Sequence, residues 1–328
     1  MHILIVSNSK IPALKYGGTE RVIYDLGQAL VKFGHKVTFL VAEGSHCSFA
    51  PVKIFNSEIS LQSQIPDDVD VVHLNHQPSE DIRKPYIVTM HGNANDINLQ
   101  FDQNTVFVSS NHAERFGSNV FVHNGLNWKN YGKLDLTSKQ KYFHFLGKAA
   151  WRIKNIKGAI QVCQNSNERL KVLGGYRFNI KMGLRLTFDP RISFEGMVDD
   201  ARKQQLLPYS KGLIFPVLWH EPFGLAITES LYFGVPVFGT PYGSLPELVT
   251  KEVGLLSNSA SELSKAIKES SKYDRKVCSD YASDLFNADV MAKKYLSFYE
   301  LVLNGNVLNQ AKPQLKCAQT EKFLPWLP

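Results

Sequence analysis

The chain has 328 residues, 44% of them hydrophobic and 20% charged, with a formal net charge of +7. That length accommodates two domains with full cores, and the balance excludes a disordered chain. No run approaches the ~18–20 apolar residues of a bilayer-spanning helix, and the cysteines lack the spacing of a zinc site or a disulfide framework.

Strand and helix patterns alternate from end to end, which predicts parallel sheets flanked by helices. His2–Val6 reads as a first strand, its apolar run too short for a signal-peptide core. Residues 7–18 form a loop ending Tyr16-Gly17-Gly18. Val22, Ile23, Leu26, Ala29, Leu30 and Phe33 then recur at helical spacing, with Gly34 as the expected C-cap. Further strands are expected at 36–41, 69–74, 86–90, 105–109 and 120–123. Asp68-Val69-Asp70 has the form of a divalent-cation motif, but it leads straight into an apolar strand and is read as a solvated strand start. A polar, aperiodic stretch at 124–140 breaks the pattern.

Strands resume at 142–146, 170–173, 192–194, 212–215 and 235–238, with a helix from about Asn155. Ser259-x-x-Glu262 is a capping box opening a late helix, and a last helical period covers 288–303. We expect an α/β protein of two doubly wound, Rossmann-like domains, residues 1–137 and 138–287. The helix at 288–303 and the tail 304–328 are expected to pack back on the first domain. Lys312, Lys316, Lys322 and the ending Phe323-Leu324-Pro325-Trp326 leave a membrane-surface contact as the alternative for that tail. Ligands in such sheets bind at the carboxyl ends of strands, so a cleft between the domains is the expected site.

The densest functional signal is HEPFGLAITES, residues 220–230. A strand, a Pro-Phe-Gly turn and a helix start together make an anion site, because unpaired backbone N–H groups and the helix dipole point outward there. Glu221 lies in the loop. Glu229 lies about one turn into the helix, among Leu225, Ile227, Leu231 and Tyr232, where an unpartnered charge is costly. A nucleotide diphosphate resting on the helix end would offer sugar hydroxyls to both carboxylates. The plain alternative is a buried βαβ unit with two solvated glutamates. Net positive charge calls for an acidic partner. Dispersed lysines, with no RNA-binding aromatic motif or arginine-rich run, exclude nucleic acid and leave phosphorylated small molecules or an anionic membrane surface.

The run FPVLWHEPFGLAITESLYFGVPVFGTPYGSLPELV resembles the signature of glycosyltransferase family 4, retaining enzymes of the GT-B fold. Its parts are a glutamate, seven residues, a second glutamate, Gly-x-Pro-Val and a later Pro-Glu. Here they stand as Glu221, Glu229, Gly234-Val235-Pro236-Val237 and Pro246-Glu247. Tyr16-Gly17-Gly18-Thr19-Glu20, Thr89-x-His91, Asn124-Gly125 and Glu195-Gly196 resemble other family elements, so the likeness covers nearly the whole chain. It departs at the phosphate site, where the family has Gly-Arg and then Glu-Lys-Gly. This chain reads Gly147-Lys148 and, one residue later than usual, Lys154-Asn155. Lys154 matches the family lysine, and either Lys148 or Arg152 could replace the arginine, as a point charge in the first case. Little chain stands between Val41 and Val69, so no acceptor is carried over.

The resemblance implies that Glu229 takes the ribose hydroxyls and Glu221 those of the donor sugar. It implies that Phe223, Gly224 and Leu225 meet the nucleotide at the helix end, while Lys148, Arg152 and Lys154 neutralise the leaving diphosphate without a metal. Gly17 and Gly18 would let backbone approach the phosphates or the acceptor. His91 would contact the sugar or support the reacting centre, and His73 and His76, placed after a strand, are weaker candidates. Transfer would retain configuration by front-face displacement, with no covalent glycosyl-enzyme. The expected function is a hexosyltransferase moving sugar from a nucleotide-diphosphate donor to a glycan or lipid-linked hydroxyl acceptor in cell-surface glycan or polysaccharide synthesis. It would act in the cytoplasm or at the inner face of the membrane. The alternatives are a non-catalytic nucleotide-sugar or anion-binding protein, a sugar phosphorylase and a nucleotide-sugar epimerase.

Overall fold

The computed structural model describes residues 1–13, 17–179 and 185–328, so Tyr16 of the glycine loop lies outside the described residues. The chain divides into two compact units. The first is Met1–Asn127 with Phe286–Gln319, and the second is Trp128–Leu285 with Thr320–Pro328.

The first unit is built on β1 (His2–Val6), β2 (Lys36–Val41), β3 (Val52–Ile54), β4 (Val71–Leu74), β5 (Tyr86–Met90) and β6 (Thr105–Phe107). All pairings are parallel, in the order β3-β2-β1-β4-β5-β6. Both β1 and β4 are buried along their whole length, which is why they read as unbroken apolar runs; a sheet covered on both faces requires it. The Gly18–Lys32 helix buries Val22, Ile23, Leu26, Ala29 and Leu30, and Gly34 follows at φ 85° as the C-terminal stop. The Ala288–Leu303 helix, capped by Asn287, buries Tyr295 and Tyr299 in this unit.

Two expectations for this unit change. Residues 120–123 are not a strand: only Phe121 bridges, to Phe107, whose N–H and C=O bond Val120 and Val122. The edge strand β3 was not legible, because it is three residues long, partly exposed and carries Lys53. Asp68 and Asp70 brace the start of the sheet. Asp68 accepts from Lys36 Nζ at 2.6 Å and pairs with His2 Nδ1 at 3.1 Å, and Asp70 accepts from the His2 N–H at 2.6 Å.

The second unit contains β7 (Tyr142–Leu146), β8 (Leu170–Leu173), an antiparallel pair β9 (Phe178–Asn179) and β10 (Arg185–Leu186), and β11 (Ile192–Phe194). It continues with β12 (Ser210–Phe215), β13 (Val237–Gly239) and β14 (Gly254–Leu256). The main sheet is parallel with order β11-β8-β7-β12-β13-β14. Counted within each main sheet, both units have the order 3-2-1-4-5-6. The chain reverses direction across the sheet between the strands numbered 1 and 4, and ligands bind outside the carboxyl ends there.

The division falls after Asn127, not at 137. Trp128 stacks on Tyr232 with centroids 4.3 Å apart, and the Arg275 guanidinium donates to the carbonyls of Leu136 and Ser138, fastening 128–138 to the second unit. Residues 304–319 accompany the last helix in the first unit, but 320–328 belong to the second. The capping box is half formed. Ser259 Oγ accepts the Glu262 N–H at 3.3 Å, while the Glu262 carboxylate accepts from Ser257 Oγ.

Candidate functional site

In the second unit the strands at the reversal are β7 and β12, and the loops that leave them carry most of the expected residues. After β7 the chain passes Gly147 and Lys148 and makes one 3-10 turn, Arg152–Lys154. Asn155 then adopts φ 53° and its side chain accepts the Gly158 N–H at 3.0 Å, capping the Ile156–Asn165 helix. After β12 the chain runs through Trp219 and Glu221 to Gly224, the N-cap of the Leu225–Tyr232 helix. The Leu218 N–H donates to the Ile153 carbonyl at 2.7 Å, tying the two loops together.

Lys154 and Glu221 meet across this tie. Lys154 Nζ is 2.6 Å from Glu221 Oε2, which also accepts from Trp219 Nε1 at 2.7 Å. The ammonium lies 5.3 Å from the Phe215 ring centroid and 5.0 Å from that of Trp219. Both partners are buried, so each charge depends on the other for compensation. The backbone beneath Glu221 is fixed by Gly243 and Ser244, which the sequence reading did not single out. Ser244 donates its N–H to the Glu221 carbonyl at 2.9 Å and its hydroxyl to that of Phe223 at 2.5 Å. A Cβ on Gly243, whose φ is 64°, would lie 2.2 Å from the Glu221 nitrogen, so this close approach admits only glycine.

The helix entered at Gly224 has no side-chain cap, and Gly224 itself sits at φ 93°. Its first N–H groups are the orphan donors of a helix start, reinforced by the dipole. Phe223 is buried and Leu225 is the first helical residue. Glu229 is buried one turn in, as the sequence implied, but its charge has protein partners. Its Oε1 accepts from Lys203 Nζ at 2.5 Å and from the Tyr131 hydroxyl at 2.6 Å. Lys203 is itself buried and also contacts Asp200 at 3.1 Å. Neither Lys203 nor Tyr131 was anticipated. A signal for Lys203 existed: Leu206 and Leu207 stand three and four residues on, placing the lysine on the buried side of its helix.

The remaining cations of the loop are more open. Lys148 is half-buried with its ammonium 5.1 Å from the Trp151 ring, and exposed Arg152 stacks 4.9 Å from the Phe323 ring.

In the first unit, Gly17 caps and Gly18 begins the Gly18–Lys32 helix. His91 Nε2 bonds Asn75 Oδ1 at 2.8 Å, so the β4 and β5 ends converge. Desolvation lowers the His91 pKa to about 4, which keeps the ring neutral. His73 does not follow a strand; it lies inside β4, fully buried. Its ring bonds the Tyr299 hydroxyl and Thr89 Oγ1, each at 2.7 Å, and Thr89 bonds the Tyr295 hydroxyl at 2.9 Å. Thr89 and His73 thus belong to an internal polar network.

Two parallel six-stranded sheets, each with this reversal, define the fold of the GT-B glycosyltransferases. Residues 127–283 match the family model described as glycosyl transferases group 1. No curated protein matches the chain by sequence. Among solved structures, the chain is similar to AviGT4, a glycosyltransferase involved in avilamycin A biosynthesis, with a TM-score of 0.77 and 19% identity over 94% of this chain and 99% of that one. It is also similar to sucrose-phosphate synthase of Thermosynechococcus elongatus, with a TM-score of 0.68 and 17% identity over 93% and 100%. The Anabaena protein HepE, solved with UDP and glucose, gives 0.64 and 17% over 92% and 99%.

Proposed function

We propose that the chain is a retaining glycosyltransferase of family 4 type that transfers a hexose from a nucleotide-diphosphate donor to a hydroxyl acceptor in cell-surface glycan or polysaccharide synthesis. The observation that carries this reading is the buried Lys154–Glu221 pair at the β7/β12 reversal, next in sequence to the uncapped start of the Leu225–Tyr232 helix. A diphosphate oxygen replaces the carboxylate at the Lys154 ammonium, and the released Glu221 accepts sugar hydroxyls. Backbone N–H groups of Gly224 and Leu225 hold the other phosphate oxygens. Carboxylates suit the sugar because each accepts from two neighbouring hydroxyls. Glu229 keeps Lys203 and Tyr131 as supports while it takes the ribose.

As the anomeric C–O bond breaks, charge grows on the leaving diphosphate. Lys154 and the helix start are already oriented toward it, and Lys148 or Arg152 adds a second positive charge, so no divalent cation is needed. In the first unit, neutral His91, oriented by Asn75, donates or accepts a hydrogen bond at the sugar, and Gly17 and Gly18 admit the phosphates or acceptor. The free cysteines Cys47, Cys163, Cys278 and Cys317 support a cytoplasmic setting. Similarity to HepE, which was solved with UDP-glucose, supports a nucleotide-sugar donor.

The test is incubation with a panel of nucleotide sugars while free nucleoside diphosphate is followed, with and without EDTA. Turnover of one donor that survives EDTA is expected. Binding without turnover would indicate a non-catalytic protein, and strict dependence on Mn²⁺ or Mg²⁺ would overturn the metal-free chemistry.

A further inference from the structure

Residues 320–328 return to the second unit after the last helix, and their contacts converge on the loops that carry Lys154 and Glu221. The Leu324 N–H donates to the Leu218 carbonyl at 2.9 Å, and Leu218 is the residue whose own N–H is bonded to Ile153. The tail therefore extends the tie between the β7 and β12 loops by one more strand of chain. Phe323 lies under the Arg152 guanidinium at 4.9 Å, a cation–π contact on the same 3-10 turn as Lys154. Trp326 packs on the core of this unit and against Gly158, where a Cβ would come within 3.0 Å of its ring, and its Nε1 donates to Gln161 Oε1 at 3.2 Å. These last contacts hold the first turns of the Ile156–Asn165 helix that follows Lys154.

The far end is anchored independently. Leu327 bridges Ser259, donating to the Asn258 carbonyl at 2.8 Å and accepting the Ala260 N–H at 2.7 Å. The Tyr242 hydroxyl donates to the Pro325 carbonyl at 2.6 Å, and Tyr242 adjoins the Gly243 that supports Glu221. The tail is thus bonded to four separate segments, at 161, 218, 242 and 258–260.

We infer that residues 320–328 form a strap that positions the phosphate-side loops of the donor site, with Phe323 and Trp326 as its anchors. This rests on the reading of that site as a nucleotide-sugar site. The strap touches no reacting atom in this account; it sets the separation of the two loops, so its loss weakens donor binding more than it slows chemistry.

The experiment compares the full chain, a chain ending at Gln319 and the single variant Phe323→Ala, with a synthetic peptide of residues 318–328 added back. Hydrogen exchange reads the loops without any donor, and KM and kcat are read with whichever nucleotide sugar the full chain uses. Removal of the strap is expected to accelerate exchange at 153–156 and 218–221 and to raise donor KM about tenfold with kcat nearly unchanged. The peptide is expected to restore both, and Phe323→Ala to give a smaller change in the same direction. Unchanged exchange and KM would overturn the inference, as would tighter donor binding, which would make the strap inhibitory. If the shortened chain does not fold, Phe323→Ala decides by the same two readouts. If no nucleotide sugar is turned over by the full chain, the functional reading fails, while the exchange comparison still decides the strap.

Discussion

The two units share one strand order and differ in what they bury beside it. The first contains a buried network of neutral rings and hydroxyls, in which His73 bonds Tyr299 and Thr89, and Thr89 bonds Tyr295. The second has a neutral network as well, His144 with Ser210 and Ser230, and adds two buried ion pairs, Lys154 with Glu221 and Lys203 with Glu229. A neutral network stabilises a core and offers little to an anion. Buried ion pairs contribute little net stability, because desolvation opposes the Coulomb attraction, but they keep full charges ready in a dry place. The same strand order thus surrounds different buried polar groups in the two units, and the sequence signature falls in the unit with the two buried ion pairs.

The largest effect expected from breaking this contrast is at Lys203. Lys203→Met removes the ion-pair partner of the buried Glu229 carboxylate and should destabilise the second unit by about 3–5 kcal/mol, read by denaturant unfolding. The double variant Lys203→Met/Glu229→Gln should recover most of that loss, since no charge is left stranded. For the same reason Glu229→Ala alone is expected to destabilise the fold as well as to stop turnover. Next is Lys154→Ala. Loss of a preset positive charge at the leaving diphosphate should lower kcat by about 10²–10³, measured with saturating donor.

Acid should separate the units in the opposite sense. Desolvation lowers the pKa of His73 and His112 to about 3 and of His91 to about 4, and also lowers His35 and His76, all in the first unit; in the second, His144 falls to about 3. Each such ring binds fewer protons folded than unfolded, so its contribution is complete above pH ~6.5 and is lost as pH falls toward the folded value. Between pH 6.5 and 5, exchange protection should therefore decline more steeply in the first unit than in the second. The smallest expected effect is at a cap: Ser259→Ala should cost about 1 kcal/mol, detectable as a shift in the midpoint of unfolding.

Much of this was legible because parallel-sheet strands are continuous apolar runs and helices announce their stops. His2–Val6, Gly18–Lys32 and Tyr142–Leu146 stand where the pattern puts them. Short edge strands escaped, since Val52–Ile54 and Gly254–Leu256 bury too little to show a period. Within the site, the signature marked Glu221 and Glu229 through their spacing, and the match at Lys154 marked the loop. The partners of Glu229 were invisible for a physical reason. Tyr131 lies 98 residues away and Lys203 lies 26 away, so only the folded sheet brings them to one carboxylate. The unit boundary was misplaced by the same kind of contact, the Trp128–Tyr232 stack. The tail read as basic and aromatic, and its place on the second unit depended on main-chain bonds that composition does not reveal.

Calorimetric titration of UDP, GDP and ADP into the full chain and into Lys154→Ala tests the central claim most directly. One nucleoside diphosphate should saturate the full chain and bind the variant at least tenfold more weakly. Binding of none of the three, or equal affinity in the variant, would contradict a diphosphate site at the β7/β12 reversal.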